Sequence, residues 1–268
     1  MGDEIKIDPK RHVMATDIAK FLDTKVYGDD IQIKTVKQLD DAVENSLVFS
    51  TRKLKNTFLK NVEQTCFIIS ELPNLIENNV FIVVDNPRLA FAKILLEFFS
   101  EKKTPGIGKY SVIHRTAKIA NSVIIGNCCS IGQNVEIADN TEIRNNVVIA
   151  DGVKIGQNCL IRSNSVIGEE GFGFENEEDG TPIRIPHLGS VEIGDFVEIG
   201  NFTAIARGTL KNTIIHSHVK IDNLVHISHN CVIGKNSMIY ALSSIRGVIP
   251  PETIVKLVQS HEMKKMRL

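Results

Sequence analysis

Four of the eight histidines in this 268-residue chain, His216, His218, His226 and His229, fall within 14 residues. An imidazole titrates near neutrality, so an exposed histidine can take a proton from an attacking nucleophile and return it to a leaving group. Along Ile221-Asp222-Asn223-Leu224-Val225-His226-Ile227-Ser228-His229-Asn230 the isoleucines set an inward register, which predicts that His226 and His229 project outward. On spacing alone these are general-base candidates or plain surface and interface histidines. Zinc is the competing chemistry, but no cysteine stands near them at ligand spacing, and no metal is expected.

A second feature with chemical potential is Gly168-Glu169-Glu170-Gly171-Phe172-Gly173-Phe174, followed by Ile185-Pro186-His187-Leu188-Gly189. Phe172 and Phe174 among three glycines make a flexible loop with apolar tips, which serves equally as a ligand lid or as a cover folded back on the core. No phosphate-binding loop, GxSxG elbow or dinucleotide fingerprint occurs, so phosphoryl and hydride transfer have no anchor. The cysteines Cys66, Cys128, Cys129, Cys159 and Cys231 form no CxxC pair and read as small apolar fillers in a reducing compartment.

The elements that must position these residues are written in a six-residue beat. Isoleucine recurs at 113, 119, 125, 131, 137, 143, 149, 155, 161 and 167, then at 193, 199 and 205, then from 215 to 245. A hexad fits neither the 3.6-residue helical period nor the period of two of an ordinary strand, and it predicts a left-handed parallel β-helix with three flat sides per coil. Asparagine or glycine at the fourth position of many hexads (Asn134, Asn140, Asn146, Gly152, Asn158, Asn164) suits a left-handed backbone at each corner. Two interruptions, between Ile167 and Ile193 and between Ile205 and Ile215, are loops thrown out of the solenoid.

Residues 1–103 read as a small α/β domain, with strand-length apolar runs at Leu47-Val48-Phe49, Cys66 to Ile69 and Val80 to Val84 and helices at Thr16 to Leu22 and Arg88 to Phe99. A linker is expected at 104–110, the β-helix at 111–250, and a short basic helix at 251–268 after a repeat broken at Ile245. Net charge is −1, which argues against nucleic acid or a polybasic membrane anchor, and with no apolar run of span length and no signal-like start the chain is expected in the cytoplasm.

The order of these parts, with GEEGFGF, IPHLG, VEIGDFVEIGNFTAIARGTL and IDNLVHISHNCVIG, and with Asp85 to Lys93 in the first domain, closely resembles the UDP-3-O-(3-hydroxyacyl)glucosamine N-acyltransferases of lipid A synthesis. The resemblance runs from about Asp17 to Gly247. It implies transfer of a 3-hydroxyacyl group from the phosphopantetheine of acyl carrier protein to the 2-amine of a UDP-3-O-acylglucosamine, by a homotrimer with no cofactor of its own. It implies His229 as general base, Asp222 as an acid near it, and the Gly247 N–H as an oxyanion-hole donor. Asn223, His226, Phe172 and Phe174 are expected as substrate-binding residues, and Phe49 is implied as the platform for uracil.

The chain departs from the family at several points. Arg52 replaces the usual asparagine three residues after Phe49, and Lys55 replaces a further aromatic; the two cations suit a diphosphate instead. A second histidine is replaced by Met266, and the C-terminal coils and helical extension are shortened. Two other readings stay open: an acetyl-CoA-dependent acyltransferase acting on another nucleotide-linked amino sugar, and a non-catalytic trimeric scaffold.

Overall fold

The computed structural model describes residues 12–59, 61–74, 78–101 and 103–256. The chain divides into two compact units, residues 1–102 and 103–268. Among the described residues no helix is long and apolar enough to cross a membrane.

The first unit is built on a five-stranded sheet in the spatial order Val26–Tyr27, Val80–Val83, Cys66–Ile69, Ser46–Phe49, Thr35–Val36. Its strands are parallel except for the antiparallel edge at Val26–Tyr27. Both faces of the central strands are covered, so their sequences are continuous apolar runs rather than alternating ones. Leu47, Cys66, Ile68, Val80 and Ile82 pack with Ile18, Ala90 and Ile94, while Val48, Phe67, Ile69 and Phe81 form a second core with Leu59. The helix expected from Arg88 to Phe99 is α-helical over Pro87–Ile94 and continues as a π-helical turn over Leu95–Phe99. Proline at its first position and the Asn86 side chain, which accepts from the Leu89 N–H at 3.0 Å, start it.

The second unit is the left-handed parallel β-helix, a three-sided prism. Its first face has eight strands, from Gly106–Ile107 to Ile254–Val255; the second and third have seven each, from Val112–Ile113 to Ser244–Ile245 and from Lys118–Ile119 to Val248–Ile249. Up to Ile239, which pairs with Val255, each inward isoleucine pairs with the isoleucine of the next coil, as Ile143 does with Ile161 and Ile161 with Ile199, so the axis is a stack of like side chains. Burying each contributes about 1.5–3 kcal/mol. Polar residues at the other inward position are satisfied by the adjacent coil: the Thr141 hydroxyl donates to the Gly156 carbonyl and the Ser165 hydroxyl to that of Gly200, both at 2.7 Å. The corner asparagines adopt the left-handed conformation, φ +53° at Asn134 and +64° at Asn164.

Two expectations about the limits of the prism are corrected. Its first strand, Gly106–Ile107, pairs with Ile124–Ile125 and so lies inside the segment expected to be a linker. At the other end the coils do not stop at Ile245, because Val248–Ile249 pairs with Val232–Ile233 and Ile254–Val255 with Met238–Ile239. The corner at Arg246-Gly247 is simply shorter, and Gly247 turns it with φ +79°. Residues 252–256 are therefore a corner and a strand, with Glu252 N–H on the Lys235 carbonyl at 2.8 Å, rather than the start of a helix. The remainder of that expected helix, including Met266, lies outside the described residues.

The three edges of the prism are not equivalent. At the edge from first to second face, and at that from third to first, the inward residue recurs every six positions without exception. Every departure falls at the edge from second to third face, where Ile167 is followed by Ile193, Ile205 by Ile215, and Ile245 by Ile249. Between the last two of these, at the same edge, stands His229.

Candidate active site

Three consecutive turns of this edge, the two irregular ones after Ile167 and Ile205 and the six-residue turn after Ile227, are laced together. The excursion after Ile167 forms a hairpin, Phe174–Asn176 against Pro182–Arg184, and returns through Leu188, whose N–H donates to the Thr209 carbonyl at 2.7 Å. The Gly189 N–H bonds to the Gly208 carbonyl at 3.0 Å, and a Cβ at Gly189 would stand 2.3 Å from the Lys211 carbonyl oxygen, an approach only glycine permits. Arg207 fastens the base of the excursion, its guanidinium donating to the carbonyls of Gly168 at 2.6 Å and Asp151 at 2.7 Å. The Thr209 N–H in turn donates to the Asn230 side-chain oxygen at 2.8 Å.

That last bond orients the group beside His229. With its oxygen engaged, the Asn230 amide turns its nitrogen to His229 Nδ1 at 2.8 Å and to Thr209 Oγ1 at 3.1 Å, while Thr209 Oγ1 lies 3.4 Å from the same Nδ1. The network assigns the resting hydrogen of a neutral His229 to Nε2, since Nδ1 faces an amide donor. Nε2 has no partner among the described residues and is not sealed from water. His229 is thus half-buried, held by one nitrogen and open at the other.

Its closest aromatic neighbour is His187, with ring centroids 4.8 Å apart and planes at 83°. His187 is 2 % exposed, its Nδ1 donates to the Ile185 carbonyl at 3.0 Å, and its Nε2 is buried with no hydrogen-bond partner. An orphaned buried acceptor of this kind costs about 1–3 kcal/mol. Gly171 and Gly173 make room for the pair: a Cβ on Gly171 would lie 2.9 Å from His229 Cδ2 and 3.1 Å from His187 Nε2, and one on Gly173 would lie 2.8 Å from His187 Cε1. His187, Thr209 and Asn230 carry no role in the sequence reading. Counting inward residues face by face is the signal that would have found them, since it brings all three corners to the edge of His229.

The other sequence candidates are placed as follows. The four clustered histidines do not converge, because successive hexads turn to successive faces. His216 lies on the third face, His218 stacks on Phe196 with centroids 4.8 Å apart at the edge from third to first face, and His226 is exposed on the second face between Ala204 and Ser244. Asp222 and Asn223 sit at the edge from first to second face. Asp222 accepts from the Asn223 N–H and Asn223 from the Asn201 N–H, each at 2.7 Å. His229 ends the same flat side seven positions on, and at about 3.3 Å per extended residue that separation exceeds side-chain reach.

Asp222 and Asn223 border a depression of about 340 Å³ with Arg162, Glu198, Lys220 and Tyr240. There partial burial pushes the Glu198 carboxyl up, but Lys220 at 2.9 Å and Arg162 at 3.6 Å outweigh it and hold the group below its ordinary value. Gly247 is exposed one coil beyond His229 on the irregular edge; its carbonyl accepts from Val232 N–H at 3.1 Å, and its own N–H has no acceptor among the described residues. Phe172 is 88 % exposed and packs on Phe174 at 4.9 Å, with the Arg184 guanidinium 4.8 Å over the Phe174 ring. In the first unit Phe49 is half-buried, one side of its ring against Phe91 at 4.6 Å, and Arg52 is exposed. Among the described residues no three His, Cys, Asp or Glu side chains converge as a metal site.

The bacterial transferase hexapeptide (six repeats) family matches residues 134–169 and 212–247. Over 246 residues the chain is 45 % identical to the UDP-3-O-acylglucosamine N-acyltransferase of Campylobacter lari, covering 87 % of this chain and 77 % of that protein. It is 42 % identical over 245 residues to the enzyme of the same name from Francisella tularensis subsp. holarctica, covering 82 % and 71 %. Among solved structures, the Francisella novicida UDP-N-acetylglucosamine acyltransferase overlaps 56 % of this chain and 62 % of its own, with 26 % identity and a TM-score of 0.43.

Proposed function

The chain belongs to the UDP-3-O-acylglucosamine N-acyltransferase family, and from that premise we propose that it transfers a 3-hydroxyacyl group from acyl carrier protein to the 2-amine of a UDP-3-O-acylglucosamine, with His229 as general base. The observation that carries the assignment is the state of that ring, held at Nδ1 by Thr209 and Asn230 and open at Nε2 on the one edge where the prism abandons its repeat.

In the reaction the amine nitrogen attacks the thioester carbonyl carbon, and the N–H proton passes to His229. The carbon–sulfur bond then breaks, and the departing thiolate leaves as a thiol with the proton that His229 returns. Nε2 becomes the basic nitrogen when the ring hydrogen moves to Nδ1, where Thr209 Oγ1 is the acceptor at hand. The free Gly247 N–H, one coil on, is the donor proposed for the thioester oxygen. Phe172 and Phe174 cover the acyl chain, while His226 and Asn223 line the acceptor's path.

Asp222 cannot reach the His229 of its own chain, so its acid role falls to the His229 of a neighbouring copy, which fits a homotrimer. In the first unit the free side of the Phe49 ring receives uracil and the Arg52 guanidinium the diphosphate.

The test is turnover of UDP-3-O-acylglucosamine with 3-hydroxyacyl carrier protein, followed as amide product by mass spectrometry, with acetyl-CoA as the alternative donor. His229→Ala is expected to lower kcat by roughly 10²–10⁴ with the oligomer intact. Undiminished turnover by His229→Ala would sink the assignment, and turnover with acetyl-CoA alone would replace the donor.

A further inference from the structure

His187 stands outside the chemistry described above, yet it has the least explicable environment in the prism. Its ring is 2 % exposed, it is anchored by Nδ1 to the Ile185 carbonyl at 3.0 Å, and its Nε2 lone pair is buried without a donor. Because a carbonyl can only accept, Nδ1 carries the hydrogen, and Nε2 is the electron-rich end of the neutral ring. That end and His229 Cδ2 converge on one point, 3.1 Å and 2.9 Å from where a Cβ at Gly171 would stand, and the two rings meet edge to face. A structural filler at this position would be apolar, or would find a donor.

We propose that His187 is a positioning residue for acyl transfer: a neutral imidazole whose unshared Nε2 is kept turned to the His229 ring, fixing that ring and favouring the cation His229 becomes when it takes the amine proton. The inference rests on the reading of His229 as general base.

The titratable and charged side chains on the segments packed around the pair are Glu169, Glu170, Arg184, Arg207, Lys211 and Arg246. Arg184 is paired with Glu170 at 3.3 Å, and Arg207 is spent on the Gly168 and Asp151 carbonyls. No ion pair or hydrogen bond from any of the six reaches either imidazole. Beside Thr209 Oγ1, which faces Nδ1, the buried lone pair of His187 is therefore the acceptor that this chain's own packing leaves for a charged His229.

Two isosteres separate this role from simple support. Asparagine at 187 can keep a donor for the Ile185 carbonyl but lacks an atom at the Nε2 position, whereas glutamine places an acceptor there. With the full chain in the acyl-transfer assay, His187→Asn is expected to lower kcat about tenfold with KM held, a partial loss well short of the roughly 10²–10⁴ of the general base itself. The acid limb of its pH–rate profile is expected to move to lower pH by about half a unit, since the cation at His229 loses its support. Its melting temperature should be unchanged or higher, because the orphaned acceptor is gone, and His187→Gln should restore kcat and the acid limb.

A wild-type profile in His187→Asn, with His229→Ala inactive, overturns this inference and leaves the general base standing. Equal losses of activity and melting temperature in both isosteres also overturn it, leaving His187 as a structural support. Full activity in His229→Ala removes the premise itself.

Discussion

Two edges of the prism turn every coil in six residues, while the third never does so from Ile167 to Ile215 and again at Ile245. On the regular edges each coil meets the same local problem in the same way, with a left-handed residue such as Asn146 or Asn164 and a repeated bond to the neighbouring coil, as from the Asn127 N–H to the Asn145 side-chain oxygen. On the irregular edge the corners depend on one another, as Leu188 bonds to Thr209 and Thr209 to Asn230. That dependence assembles side chains from three coils, His187, Thr209 and His229, at one point.

The comparison breaks most visibly in activity. The loss of kcat by roughly 10²–10⁴ expected for His229→Ala should have no counterpart at a regular corner. Asn146→Ala should leave kcat unchanged and lower stability by about 1 kcal/mol, the strain of alanine in a left-handed turn, as read from a denaturant melt. A comparable loss of kcat in Asn146→Ala would erase the distinction between the edges.

Next in size is the staple at the base of the excursion. Arg207→Met removes two charge-assisted bonds, to Gly168 and Asp151, while keeping much of the aliphatic packing. A local destabilisation of about 1–3 kcal/mol is expected. It should appear as faster proteolysis within 168–190 and faster hydrogen exchange there, with the strands of the first face protected as before. Uniform loss of protection over the prism would show that the staple belongs to the core.

How much of this was legible before the coordinates follows from the same contrast. The prism was, because isoleucine at every sixth position leaves no other periodic structure to build. Its continuation past Ile245 was not, since a corner two residues short moves the beat out of phase, and Pro250-Pro251 then reads as a stop although Ile249 and Val255 still face inward beside Ile233 and Ile239. The four-histidine cluster misled for a related reason: neighbours in a hexad sequence are neighbours on different faces, so His216 and His218 are turned away from His229. His187, 42 positions earlier, is its ring partner only because the long insertion and the short slip leave from one edge.

A smaller effect concerns the corner at His229 itself, the six-residue turn that stands between the irregular ones. Asn230 holds His229 Nδ1 with a neutral donor, which favours hydrogen on Nε2. Asn230→Asp keeps an oxygen for the Thr209 N–H and tolerates the left-handed backbone, φ +61°. It replaces the donor with a carboxylate that accepts from Nδ1–H. The charged imidazole is then favoured, so the acid limb of the pH–rate profile should rise by about one unit, and turnover at pH 6 should fall while that at pH 8 is kept or increased. An unmoved limb would mean that the amide does not govern the ring.

The smallest effect concerns a regular edge that breaks its own rule. Phe202, Leu224 and Leu242 hold left-handed corners on three successive coils, with φ of +55°, +59° and +64°. Leu224 is 53 % exposed, so the side chain gains little from burial while its Cβ strains the turn. Its backbone N–H is bound to the Asn201 carbonyl at 2.9 Å and keeps that bond whatever the side chain. Leu224→Asn in the isolated chain should therefore stabilise by about 1 kcal/mol, measured as a rise in denaturant midpoint with an unchanged slope. If the same substitution instead lowers stability in proportion to protein concentration, the leucine is held by a second copy and the strain of this edge is offset across an interface. In either case the regular edges answer to stability and assembly, and the irregular edge is the one that holds His229, the general base we propose.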